Sequence, residues 1–87
     1  MRKAHFGVRL ERTPVRGGRR YYEIAIGRDL FGAPVMLCSW GGVDAARGGA
    51  QFSSFASLDA ARRAAARWLR VKRRRGYRRA RRRIAVL

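Results

Sequence analysis

Positive charge is the sequence feature that most restricts how this chain can fold. Its 87 residues contain 22 Lys and Arg but only five acidic residues, which gives a net charge of +17. Between residues 60 and 87 there are thirteen basic residues and no acid. Such charge opposes compaction and is typical of disorder. The 47% hydrophobic content is nevertheless ordinary for a globular chain, so we expect one small folded domain spanning residues 1–87.

The excess of one sign indicates an anionic partner. A surface that served only solubility would mix both signs. Twenty of the 22 basic residues are arginine, whose planar guanidinium can bind two phosphate oxygens at once. A GC-rich coding bias would also enrich arginine, and the sequence leaves both causes open.

The N-terminus and the cysteine content bear on location. The segment MRKAHFGVRLE lacks the apolar centre of a signal peptide, and no stretch approaches the ~20 apolar residues of a membrane span. The single cysteine, Cys38, lies in an apolar run and is expected to pack in the core. We therefore expect a cytoplasmic, nucleoid-associated protein without a disulfide and without a membrane partner.

Alternating apolar residues predict strands in the first half of the chain. Phe6, Val8 and Leu10 share one face of the first strand. The next two predicted strands are RYYEIAI, with Tyr22, Ile24 and Ile26 on one face, and VMLCSW, which ends at Trp40; a short strand, AQFSSF, follows.

One helix is predicted from residue 57 to residue 76. Ser57 suits the N-cap, and Gly76 suits the position after the helix end. Helical spacing predicts an apolar face and, opposite to it, a stripe of arginines. Trp68 lies on the apolar face and is expected to be a core residue. The apolar face is Leu58, Ala61, Ala65, Trp68 and Leu69, and the stripe is Arg63, Arg67, Arg70 and Arg74.

Strands followed by a helix predict an α+β domain. We expect an antiparallel sheet of four or five strands with one helix packed across it. Residues 78–87 form either a last strand, with Ile84 and Val86 on one face, or a basic tail.

The order of short motifs resembles that of the WGR domain, which is named for a Trp-Gly-Arg motif at the end of a central strand. The resemblance is strongest over residues 19–77. It consists of RYYEIAIGRDLFG, VMLCSWGGV, GGAQFSSF, an alanine-rich helix and KRRRGY. WGR domains occur in poly(ADP-ribose) polymerases, in some bacterial ligases and as short stand-alone bacterial proteins.

The resemblance implies the sheet-and-helix fold already expected, and it implies binding to nucleic acid, chiefly to duplex DNA near ends or breaks. Trp40 and Gly41 match the motif, but Gly42 stands where the family has arginine. We hypothesise that Arg47, in a longer loop, returns a guanidinium to that place. Tyr77 is expected to be structural, as in the family.

These arguments predict a non-catalytic module that binds duplex DNA on one continuous surface. The alternatives are an RNA or single-strand binder that stacks bases on Tyr21, Trp40 and Tyr77, and a basic module for an acidic protein. No enzyme signature, cofactor or metal site is predicted. The candidate binding residues are Trp40, Arg47, Arg63, Arg67, Arg70, Lys72, Arg74, Arg75, Arg78 and Arg79.

Overall fold

The computed structural model describes residues 3–43 and 48–80. They form five strands and one helix, which confirms the predicted α+β domain. The sheet is antiparallel with strand order β4-β3-β2-β1-β5. The elements are β1 (Lys3–Arg12), β2 (Arg20–Arg28), β3 (Pro34–Gly42), β4 (Gly48–Ser54), α1 (Leu58–Arg74) and β5 (Arg78–Arg79).

The core lies between the helix and one face of the sheet. Strand register places Leu10 opposite Tyr22, and Ile24 opposite Cys38, so alternate residues of β1, β2 and β3 point to the same side. Leu10, Ile24 and Ile26 have no exposed surface. The predicted apolar faces of β1 and β2 are therefore confirmed, as is the burial of Cys38.

Helix α1 has the predicted ends. The Ser57 hydroxyl accepts a hydrogen bond from the Ala60 amide at 3.1 Å, and Gly76 has a φ of 96°, a conformation that favours glycine. Ala61, Ala64 and Ala65 are the buried helical residues. Because their side chains are small, the helix backbone can lie close to β2 and β3, the strands on which it mainly packs.

The prediction that Trp68 belongs to the core is wrong, since it is 42% exposed. Trp68 lies at the margin of the helix face. Beyond β3, strand β4 turns Gln51 and Ser53 toward this side, because they pair with Cys38 and Met36. The indole therefore meets no apolar layer that could cover it. Tyr77, by contrast, is 8% exposed, which confirms its predicted role in packing.

The opposite face of the sheet holds the ion pairs between described residues. Arg9 donates to Glu11 at 2.9 Å and to Glu23 at 3.2 Å, and Arg19 lies 3.6 Å from Glu11. The Arg9 guanidinium also lies 4.6 Å from the centre of the Tyr21 ring. Two of the five acidic residues are thus paired on the side away from the helix.

At the other edge of the sheet, β5 pairs with Leu10 and Glu11 of β1. Residues 81–87, which complete the segment predicted as strand or tail, lie outside the described residues. Within the described ranges, no helix is long and apolar enough to cross a membrane.

Replacing Ser57 with alanine should lower the free energy of unfolding by about 1 kcal/mol, because the Ala60 amide loses its hydrogen-bond acceptor. Urea denaturation monitored by circular dichroism measures the change. Thr13→Ala, in an exposed position outside every strand and helix, is the control and should leave stability nearly unchanged. Equal midpoints for the two variants would show that the cap contributes nothing.

Candidate nucleic-acid interface

An open groove of about 340 Å³ lies between the helix and the uncovered part of the sheet. It exists because the helix packs on β2 and β3 while β4 extends beyond it. Aromatic, basic, polar and sulfur-containing side chains line it, and none of the described lining residues is a carboxylate. The lining residues are Tyr22, Met36, Cys38, Trp40, Gln51, Ser53, Trp68, Lys72 and Arg75.

Trp40 is held at the end of β3 by its neighbours on both adjacent strands. It pairs with Tyr22 on β2 and with Gly49 on β4. The Tyr22 and Trp40 rings are nearly parallel, at 13°, with centres 6.2 Å apart. A Cβ atom at Gly49 would lie 2.6–2.8 Å from three atoms of the indole, so the ring occupies the space that a side chain there would fill. Trp40 nevertheless stays 38% exposed.

Lys72 places an ammonium group among three aromatic rings. Its Nζ lies 4.4 Å from the centre of the Tyr22 ring, 5.6 Å from Tyr77 and 5.9 Å from Trp68. Such cation–π contacts fix the position of a charge without neutralising it. Burial, and then the neighbouring Arg75, lower the pKa of Lys72. The described residues provide no carboxylate partner for this ammonium.

Two of the groups that line the groove, the Cys38 thiol and the Tyr22 hydroxyl, have raised pKa values. Burial raises the pKa of the Cys38 thiol, and this effect exceeds the opposing influence of the Tyr22 hydroxyl and the Lys72 ammonium. Burial is also the main reason why the pKa of Tyr22 is raised. Both groups therefore remain protonated at neutral pH. Within the described ranges, no group of three His, Cys, Asp or Glu side chains is placed to hold a metal ion.

Comparison with known protein families identifies the family of this domain. The model of the WGR domain matches residues 6–84, nearly the whole chain. The chain belongs to the WGR family. Comparisons with curated proteins and with solved structures find no significant match. WGR domains are known as modules of nucleic-acid-binding proteins, and the match extends beyond the residues 19–77 on which the resemblance was argued.

The predicted binding residues of this WGR domain are spread around the helix rather than confined to the side that bears Trp40. Lys72 and Arg75 line the groove. The arginine stripe is exposed but points away from the sheet, because at about 100° per residue Arg63, Arg67, Arg70 and Arg74 lie opposite Ala61 and Ala65. The structure therefore does not support the expected single surface that joins the stripe to Trp40.

Two of the predicted residues lie at the opposite sheet edge. Arg78 and Arg79 form β5, whereas the groove opens beside β4. Arg78 donates hydrogen bonds to the carbonyl oxygens of Tyr77 and Arg73. Arg47 lies outside the described residues.

Sequence reasoning missed the part of the site that Trp68 and Gln51 contribute. A signal was present in β4. Gly49, Gln51 and Ser53 alternate on the same face as Trp40, and a strand without apolar residues on that face is not covered by a helix. Since Trp68 precedes Lys72 by four residues, the two side chains are neighbours on the helix surface.

Gly49→Ala should displace the Trp40 indole from its place between β4 and Tyr22, because the added methyl group would overlap three ring atoms. In a Trp68→Phe background, where Trp40 is the only tryptophan, its emission spectrum should change. Gly18→Ala is a matched control, since a Cβ there meets no atom within 4 Å. Identical spectra for the two glycine variants would contradict the described packing.

The Cys38 thiol should react with iodoacetamide about tenfold or more slowly in the folded protein than in urea, because it is buried and its pKa is raised. A raised pKa means less thiolate at neutral pH, so the folded-state rate should still increase above pH 9. Mass spectrometry of timed samples gives the rates. Equal rates in the two states, or a plateau below pH 8, would refute this assignment.

Proposed function

We propose that this WGR domain is a non-catalytic module that binds duplex DNA through two separate contacts: the outward-facing arginines of α1 on the phosphate backbone, and Trp40 beside a strand terminus. The separation of charge carries the proposal. Glu11 and Glu23 are paired with Arg9 on the face away from the helix. The described ion pairs include no basic residue of α1. Within the described residues, the arginines of α1 therefore form a group of cations without a carboxylate partner.

The spacing of the arginine stripe suits a nucleic-acid backbone. Arg63 and Arg74 are eleven residues apart, which corresponds to about 16 Å along a helix axis. Duplex DNA carries one phosphate per strand every ~3.4 Å of its axis. The stripe can therefore follow a backbone over about five base pairs. Affinity of this kind arises from the release of counterions and has little sequence preference.

The register of the sheet offers a substitute for the arginine that the Trp-Gly-Gly motif lacks. Gly42 pairs with Arg20 of β2. This pair lies two positions along the strands from the pair that Trp40 forms with Tyr22. Arg20 is exposed and shares the face of Tyr22 and Trp40. Directly opposed Cβ positions are about 5 Å apart. Arg20 can therefore present a guanidinium close to where the third residue of the motif would present it, as Arg47 was expected to do.

The single-strand alternative loses two of its three stacking surfaces. Tyr77 is buried beneath the helix end. Tyr21 lies on the other face of the sheet with the Arg9 guanidinium over its ring. Only Trp40 remains available among the aromatic residues that this alternative required. No described feature favours an acidic protein partner over a nucleic-acid backbone.

With about five phosphate contacts, a plot of log binding constant against log salt concentration should have a slope of about −4.5, because each contact contributes ~0.9. The double variant Arg67→Gln/Arg70→Gln removes two contacts and should make the slope shallower by about 1.8. Fluorescence anisotropy with a labelled duplex at several salt concentrations measures the slope. Arg16→Gln/Arg28→Gln removes the same charge from the loop before β2 and from the last residue of β2, both outside α1, and should change the slope much less. Equal effects of the two double variants would indicate attraction by net charge alone.

Closed circular, nicked, blunt-ended and 5′-phosphorylated DNA, compared at physiological salt with RNA of the same sequence, should reveal a preference for termini. Arg20→Gln should remove that preference and leave binding to closed circular DNA, if Arg20 replaces the motif arginine. Tighter binding of RNA than of every DNA form would reject the duplex-DNA proposal. A terminus preference that survives Arg20→Gln would reject the role of Arg20.

A further inference from the structure

We propose that the groove between Trp40 and Trp68 is a binding pocket for one unpaired nucleobase, at a single-stranded overhang or a frayed strand end. This inference rests on the proposed function, because the duplex beside the unpaired nucleotide would be held by the arginines of α1. It adds a ligand class, the unpaired nucleotide, and a residue, Trp68, that the family motif does not include.

Two indoles line this groove while remaining partly open to solvent. Trp40 is 38% exposed and Trp68 is 42% exposed. They come from different elements, β3 and α1, and line the same recess. Exposed apolar side chains that share a recess, unlike single exposed ones, mark ligand-binding grooves. Bases stack on such side chains whatever their identity, since every base has an aromatic face.

The Trp40 ring is positioned before any ligand arrives. Tyr22 lies parallel to it, and the absence of a side chain at Gly49 leaves room for the indole against β4. The Lys72 ammonium is fixed over Tyr22 and reaches toward Trp68, so it connects the two sides of the groove. A preformed pocket of this kind loses little conformational entropy on binding.

The remaining lining residues match the other parts of a nucleotide. Lys72 and Arg75 provide positive charge for the phosphate. Gln51 and Ser53 provide hydrogen-bond donors and acceptors on the β4 side, which suit the polar edge of a base or a sugar hydroxyl. Among the residues that the structure describes, no carboxylate lines the groove to repel an anion. This combination of stacking surface and cation is typical of proteins that hold single strands.

The shape of the groove favours an unpaired base over a base pair. At about 340 Å³ it is near the lower end of the range for small-ligand pockets. The helix bounds one side and the sheet bounds the other, because Trp68 and Lys72 belong to α1, Arg75 directly follows it, and the rest of the lining belongs to strands. A recess of this size suits one unpaired base, whereas a base inside a duplex is already covered by its partner and two stacked neighbours.

The test uses a set of duplexes of the same sequence with blunt ends, with a three-nucleotide 5′ overhang or with a three-nucleotide 3′ overhang. The first unpaired position carries 2-aminopurine, whose fluorescence reports stacking. We expect at least one overhang duplex to bind about tenfold more tightly than the blunt duplex, with quenching of the 2-aminopurine. Trp68→Ala should abolish both the quenching and the difference in affinity between the overhang and blunt duplexes.

Two further variants keep the test decisive if Trp68→Ala is unstable. Ser53→Phe should fill the groove from the sheet side, and it should remove the overhang preference with the α1 arginines intact. Phe52→Leu changes an aromatic residue that is 55% exposed on the neighbouring position of β4, and it should behave as the parent protein does. Thermal unfolding identifies variants that do not fold.

The outcomes separate this inference from the proposed function. Equal affinity for blunt and overhang duplexes, without quenching, would overturn the base pocket and leave duplex binding in place. Loss of affinity in Trp68→Ala that is equal for all three duplexes would also overturn it. Binding to none of the duplexes at physiological salt would overturn both proposals.

Discussion

The close packing of an alanine face against two strands determines the rest of this structure. Ala61, Ala64 and Ala65 bring α1 down onto β2 and β3. The helix packs mainly on these two of the five strands. The edge strand β4 is therefore left uncovered on the helix side, where it presents Gln51 and Ser53. The groove is a direct consequence of this narrow contact, and so is the exposure of Trp68 at its margin.

The same packing also separates the charges. Residues of β1 and β2 that point away from the helix include Glu11 and Glu23, and both are paired with Arg9. The outer surface of α1 carries arginines without a described carboxylate partner. A chain of net charge +17 would repel itself most strongly where these arginines are dense. Binding of a polyanion relieves that repulsion, so the cost of folding such a surface is linked to its affinity.

Much of the fold follows from local sequence patterns. The alternation at Val8 and Leu10 and at Ile24 and Ile26 identifies two core strands because each pattern has only one buried face. Ser57 and Gly76 mark the ends of the helix through backbone chemistry that depends on those residues alone. These features need no knowledge of distant parts of the chain.

The site was harder to predict because it depends on which strand lies beyond the helix. Helical spacing puts Trp68 on the same side of α1 as the buried alanines, and its side chain does lie at the margin of that face. What spacing cannot reveal is that the neighbouring strand is β4, with polar residues at the positions facing Trp68. The position of the arginine stripe is visible from spacing, but its orientation relative to Trp40 depends on how the helix lies across the sheet.

The pairing of β2 with β3 explains why this chain can have Trp-Gly-Gly in place of Trp-Gly-Arg. A motif arginine at residue 42 would stand directly opposite Arg20, and two like charges in opposed positions destabilise a strand pair. With glycine there, one guanidinium remains at this pair and belongs to β2. Under the proposed function, the place beside Trp40 needs one cation, and either strand of the pair can supply it. Trp40 itself has no such substitute, because its position depends on Tyr22 on one side and on the bare backbone of Gly49 on the other.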